Sequence, residues 1–499
     1  MTAPAWLTSL PRPALMAIGD SLLNGMRSYS IDDARAAASI PAYLGASLHP
    51  GRGDAPFQPA RYPAPILIDV EAQMDEYTTI PNPQAALLEV LNNFGQIKAD
   101  IVKNGRDWLN RFASQPAPPG PVVFDNLAIA GAMIPDAFEV TQAQLEARIQ
   151  AMGAVVRHEA DPLRWFGAWP AGDPNTSGQW GVGDLHISFN ARHLRNPGNR
   201  DGLGSMTVLD MVGARRPRML LVDMGANHGL VDVVMRGKGD RGMNGLRAFA
   251  AAWPPCARAL AALPGVDVVV MLLMPRPSQT PCLAPPNPSG NPDQEPAPIR
   301  PDHYFGRYVS ALNSVSAGFG DDGDAVARFD REMDAINADV KAAMQTAFAG
   351  SGKHLCFVSL ADLLQQHDFK HRRGPKLIGA SGQEYSNYPL GRLTSFLHGT
   401  RLRGGICGLD QIHPTTIGYR FVAEAVRQAL TTIPGTPPSD PIAITDANDP
   451  FLLTPHWPTI DAMDALYPRG ASGGQEAVVL AHPEMSAANQ LIFQADWLR

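Results

Sequence analysis

The sequence predicts an α/β protein: a three-layer α/β/α sandwich around a central parallel five-stranded sheet, with large loop insertions. Three observations carry this expectation. Five short apolar runs lack the polar alternation of half-exposed strands, helical patterns stand between them, and Ser21, Gly131 and Asn227 fall at or just past the ends of the first three. A parallel sheet covered on both faces needs near-continuous apolar strands joined by helices. Its ligands gather beyond the carboxyl ends of those strands.

The apolar runs are residues 14–21, 122–130, 218–224, 266–274 and 354–360, rich in Val, Leu and Ile. Apolar residues at helical spacing predict helices over 141–156, 205–213, 244–263, 304–315, 325–348 and 416–432, several opened by Ser, Thr or Asn. Four connections, at about 26–120, 159–204, 275–300 and 365–404, are far longer than the ~4–6 residues usual in compact domains. They are expected to be lids, binding loops or small subdomains inserted into one domain spanning 1–432. Residues 433–499 follow the last core helix as an extension with no readable role, and no internal repeat is evident.

With 45% hydrophobic and 18% charged residues and a net charge of -7, the 499-residue chain has ample material for a core and no basic excess. The densest basic groups, Arg215-Arg216 and His371-Arg372-Arg373, are too small to track a phosphate backbone, so no nucleic-acid partner is expected. Cys256, Cys282, Cys356 and Cys407 lie far apart, which predicts mostly free thiols rather than a disulfide scaffold or zinc site. The first ten residues lack a basic start and a sustained apolar stretch, and no window approaches the ~20 apolar residues of a membrane helix. The chain as written is therefore expected to be cytoplasmic without a transmembrane segment, although removal of a secretion signal would leave the same sequence. Nothing in it speaks to oligomeric state.

The chemistry concentrates at the two ends of the expected domain. Gly19-Asp20-Ser21-Leu22 closes the first apolar run and opens a turn, a position that exposes a serine hydroxyl and leaves its backbone N–H available to an anion. A serine hydroxyl needs an imidazole to accept its proton and a carboxylate to orient that imidazole. Asp410-Gln411-Ile412-His413-Pro414 offers both one helical turn apart, followed by a proline suited to the start of a helix.

These segments, together with Asn126-Leu127-Ala128-Ile129-Ala130-Gly131 and Gly225-Ala226-Asn227, resemble in content and order the four landmark blocks of the GDSL lipase/esterase family, the SGNH hydrolases. The resemblance covers about residues 14–432 and implies a flavodoxin-like fold. It also implies cleavage of carboxylic esters through an acyl-enzyme on Ser21, with His413 as base and Asp410 as orienting acid. The oxyanion hole it implies consists of the backbone N–H groups of Ser21 and Gly131 and the side-chain amide of Asn227. The substrate would be a small-molecule or lipid ester, with no cofactor or metal. One position departs from the pattern: the family usually has Asp after the oxyanion Asn, and here His228 stands there, expected to support the loop. The same site would serve an acyltransferase or a polysaccharide deacetylase, and a non-catalytic binding protein that kept the fold is a further alternative.

Other motifs carry less. Gly470-Ala471-Ser472-Gly473-Gly474 has the spacing of a nucleophile elbow but lacks the strand before it and the helix after it. Asn175-Thr176-Ser177 is a glycosylation sequon, with meaning only on export. His186 and His193, and His367 and His371, form no metal set and are expected to be solvated. Trp165, Phe166, Trp169 and Trp180 fit either an acyl-pocket lining or a small apolar cluster beneath the loop.

Overall fold

The computed structural model describes residues 3–28, 30–51, 53–67, 69, 94–114, 123–158, 160, 182–235, 237–284, 299–310, 323–382, 384–387, 405–408, 410 and 412–445. The elbow-like motif at 470–474, the sequon and the four aromatic residues between 165 and 180 lie outside these.

The chain is an α/β protein built on a parallel sheet. Its strands are β1 (Leu15–Gly19), β2 (Met219–Asp223), β3 (Val268–Leu273) and β4 (His354–Ser359), in that spatial order. Every residue of β1, β2 and β3 is buried, which is why their sequences show no polar alternation. Successive side chains still point to opposite faces. Met16, Ile18, Leu220, Val222, Val269 and Met271 join one apolar cluster, while Leu15, Ala17, Met219, Leu221, Val268 and Val270 join another.

Helices cover both clusters. They are α1 (Ser21–Asn24), α2 (Ile40–Ser47), α3 (Phe94–Ser114), α4 (Gln142–His158), α5 (Val182–Arg195), α6 (Val208–Arg215), α7 (Gly239–Ala261), α8 (Gly323–Phe348) and α9 (Thr416–Leu430). α3 to α8 pack on the first face, and α2 and α9 on the second. Among the described residues no helix is long and apolar enough to cross a membrane.

The sheet has four strands among the described residues, not the five expected. The described part of the run at 122–130, residues 123–130, lies parallel beside β1, held by Ala17 N–H to Asp125 O (2.9 Å), Leu127 N–H to Ala17 O (2.8 Å) and Ile129 N–H to Gly19 O (2.9 Å). It forms only an isolated bridge, Ala17 to Asn126. On the edge away from β1, Asn126 Oδ1 accepts the Ala128 N–H at 3.2 Å, and Asn126 Nδ2 donates to Leu23 O at 2.8 Å.

The helix expected at 304–315 is also absent over its described part. Residues 309–310 form a short strand paired with residues 283–284, and 311–315 lie outside the described residues. The apolar spacing there comes from aromatic side chains filling a polar core: the Tyr304 hydroxyl donates to Asp330 Oδ2 at 2.9 Å, and the Tyr308 hydroxyl lies 2.8 Å from His371 Nε2. Two helices, α3 and α5, stand inside segments expected to be connections. Residues 433–445 are woven into the core, with Asp440 N–H donating to Ser47 O (2.9 Å) and Ile442 in the α2/α9 cluster.

β1 and β2 meet closely at their carboxyl ends. A Cβ on Gly19 would stand 2.1 Å from the Asp223 carbonyl oxygen, so only glycine allows this approach. The turns that carry Ser21 and Asn227 leave from these two adjoining strand ends.

Candidate active site

Ser21 opens α1, and the preceding Asp20 caps it by accepting the Leu22 N–H at 3.2 Å. In the first helical position the Ser21 N–H has no partner within the helix. Gly25 closes the turn in the left-handed region at φ 94°. Ser21 is 9% exposed.

Asp20 also lies beside Asp223, the last residue of β2, and its N–H donates to the Asp223 carbonyl oxygen at 3.2 Å. Burial pushes both carboxyl groups up, and repulsion from Asp20 pushes Asp223 further. Asp20 thus joins the Ser21 turn to the end of β2, from which the turn that carries Asn227 leaves.

Asn227 lies in a 3-10 turn, Ala226–His228, and its Nδ2 donates to Ala132 O at 3.1 Å. That bond uses one of its two amide hydrogens and ties it to the residue after Gly131. Gly131 has φ 83°, and a Cβ there would stand 2.7 Å from the Ile187 side chain. His228 supports this loop: its Nε2 accepts the Ile134 N–H at 3.0 Å, at the start of the short helix Ile134–Phe138. Burial lowers the His228 pKa to about 4, keeping the ring neutral and able to accept that bond.

Asp410 and His413 are paired. Asp410 Oδ2 lies 2.7 Å from His413 Nδ1, while Oδ1 accepts the backbone N–H groups of Ile412 (3.1 Å) and His413 (2.9 Å). Burial pushes the Asp410 pKa up, but the His413 charge and these hydrogen bonds outweigh it and leave the carboxyl below its ordinary value. The loop is pinned by Gly408 N–H to His413 O (2.7 Å) and Thr415 N–H to Ile406 O (3.0 Å). Thr415, not Pro414, stands at the helix entrance as the N-cap of α9; Pro414 is taken up in an isolated bridge with Cys407.

This loop lies against the segment that follows Ser21. The Tyr419 hydroxyl donates to Met26 O, Arg27 Nη1 donates to Thr416 Oγ1 at 3.2 Å, and Gly408 abuts Ser28. The charge of His413 acts on Asp20 and on His186.

The same Asp-x-x-His spacing occurs a second time and shows what spacing leaves unsaid. His371 Nδ1 lies 2.9 Å from Asp368 Oδ1, yet both side chains are 0% exposed and Tyr308 occupies Nε2. The His413 side chain is 12% exposed. His186, His193 and His371, expected to be solvated, are all buried; for His193 and His371 polar groups and rings replace the water. Among the described residues no group of three or more His, Cys, Asp or Glu side chains is placed to hold a metal ion. The four cysteines are buried free thiols.

His193 sits between the rings of Tyr62, Trp108 and Phe124, with Nε2 2.6 Å from Arg61 O. Burial lowers its pKa from 6.5 to about 4. Between those values the unfolded chain binds the extra proton, so the stability held by the neutral ring is full above pH 6.5 and lost as pH falls toward 4. That gap corresponds to on the order of 3 kcal/mol. Asp125, raised by burial to about 6, acts with the opposite sign, so the His193 share must be isolated by substitution. Urea unfolding across this window should show a shallower loss in His193→Phe than in wild type; equal slopes would contradict it.

Sequence reasoning missed Asp223 and His186. Asp223 had a signal, an acidic residue ending an apolar strand beside a landmark turn; His186 had none beyond its residue type. Comparison of the chain with protein-family models, curated proteins and solved structures finds no match.

Proposed function

We propose that this chain is a serine hydrolase of the SGNH type that cleaves carboxylic esters through an acyl-enzyme on Ser21. The observation that carries the reading is the Asp410–His413 pair, bonded at 2.7 Å and held in a loop against the segment just after Ser21. Counting the segment at 123–130 as a fifth strand gives the flavodoxin-like order 2-1-3-4-5 in a three-layer sandwich. In that order the ligand crevice falls between the first and third strands, whose ends lead to Ser21 and Asn227.

In this mechanism Ser21 Oγ attacks the ester carbonyl carbon as its proton passes to His413 Nε2. Asp410 keeps the other ring proton on Nδ1 and stabilises the imidazolium. The oxygen that becomes negative receives the N–H groups of Ser21 and Gly131 and the remaining amide hydrogen of Asn227. The tetrahedral intermediate collapses, His413 gives its proton to the departing alcohol, and water, deprotonated by His413, clears the acyl group from Ser21.

The test is turnover of p-nitrophenyl esters of increasing acyl length, with product analysis in the presence of competing alcohols. Release of free acid supports the hydrolase. Transfer of the acyl group to the alcohol would instead make the protein an acyltransferase. No turnover of any ester would remove the enzyme reading.

A further inference from the structure

Helix α5 turns a polar face toward the Ser21 turn. Asn190 donates through Nδ2 to Asn24 Oδ1 at 3.2 Å and accepts at Oδ1 from the Tyr62 hydroxyl at 2.8 Å; Asn24 in turn donates to Ala128 O at 2.8 Å. These bonds dock α5 on the last residue of α1. His186 stands one helical turn before Asn190 on the same face.

His186 is 8% exposed, and its Nε2 has no hydrogen-bond partner among the described residues. The His413 charge reaches it, and the side chain of the next residue, Ile187, occupies the space beside Gly131. A buried polar atom without a partner is rare in native proteins and calls for an explanation.

We propose that His186 is a specificity contact of the active site, hydrogen-bonding a free hydroxyl on the alcohol portion of the ester substrate. The inference rests on the hydrolase reading above. The alcohol side follows from the neighbouring His413, the group that hands its proton to the leaving oxygen. A hydroxyl fits because it both donates and accepts, and so satisfies Nε2 in either tautomer of a neutral ring. Burial, reinforced by the His413 charge, lowers the His186 pKa to about 4 and keeps that ring neutral. The favoured substrates are therefore esters of diols, glycerol or sugars with a hydroxyl next to the ester oxygen, over esters of simple alcohols.

The test compares kcat/KM for 2-hydroxyethyl acetate and propyl acetate, which match in size and differ by the hydroxyl. Wild type should favour the hydroxyl ester by about tenfold or more, because a site built to bond a hydroxyl discriminates against its absence. His186→Phe should bring the ratio near one, and His186→Gln, which keeps a donor and an acceptor, should retain part of the preference. A second measurement needs no change at 186: in Ser21→Ala protein, 2-hydroxyethyl acetate but not propyl acetate should shift the His186 Nε2 resonance. Equal ratios in wild type and His186→Phe, or an unmoved resonance, would overturn the proposal while leaving the hydrolase intact. Absence of turnover of any ester would remove the hydrolase and this proposal with it.

Discussion

Ser21→Ala is expected to abolish turnover of p-nitrophenyl acetate, lowering kcat by about 10⁴-fold or more. The fold should survive, because the cap of α1 comes from the Asp20 carboxylate to the Leu22 N–H and the chain reversal from Gly25, neither of which uses the serine hydroxyl. Unfolding midpoints of the two proteins should agree closely. Turnover within tenfold of wild type would show that another group attacks the ester.

Asp410→Asn should be nearly as damaging, with kcat down by about 10⁴-fold and little change in structure. The geometry gives the reason. Oδ1 already accepts two backbone N–H groups, from Ile412 and His413, and an asparagine oxygen can keep both. Its NH₂ group then replaces Oδ2 opposite His413 Nδ1, where it donates. The ring proton is driven to Nε2, the nitrogen that must accept from Ser21. Nitrogen chemical shifts of His413 would report the tautomer directly. A loss of kcat below tenfold, with the tautomer changed, would separate Asp410 from catalysis.

Much of the layer was legible because burial on both faces leaves a plain mark. β1 to β4 fall within runs picked out by continuous apolar character, and α4, α6, α7, α8 and α9 overlap segments with helical spacing. The errors share a physical origin. Asn126 takes the outward Ala128 N–H, within a run that reads as a strand but completes a single bridge to β1. Tyr304 and Tyr308 imitate helical spacing because both reach a buried polar cluster.

Helix α5 was illegible for a more telling reason. Its buried face carries His186, Asn190 and His193 among Leu185, Phe189 and Leu194, so its apolar stripe is broken. Local pattern fails most readily where a helix face is built for something besides packing. The site divides in the same way. Ser21, Gly131, Asn227, Asp410 and His413 stood out through motif content, order and spacing. The bond from Asp20 N–H to Asp223 O needed the approach of two strands far apart in sequence, which no local pattern encodes.

The most direct measurement is covalent. A fluorophosphonate probe reacts with a serine only where a neighbouring base activates its hydroxyl and donors receive the developing charge. Incubation with the probe followed by peptide mass spectrometry should find one adduct, on Ser21, lost in both Ser21→Ala and His413→Ala. An unlabelled Ser21 in folded protein, or an adduct on a different serine, would contradict the account.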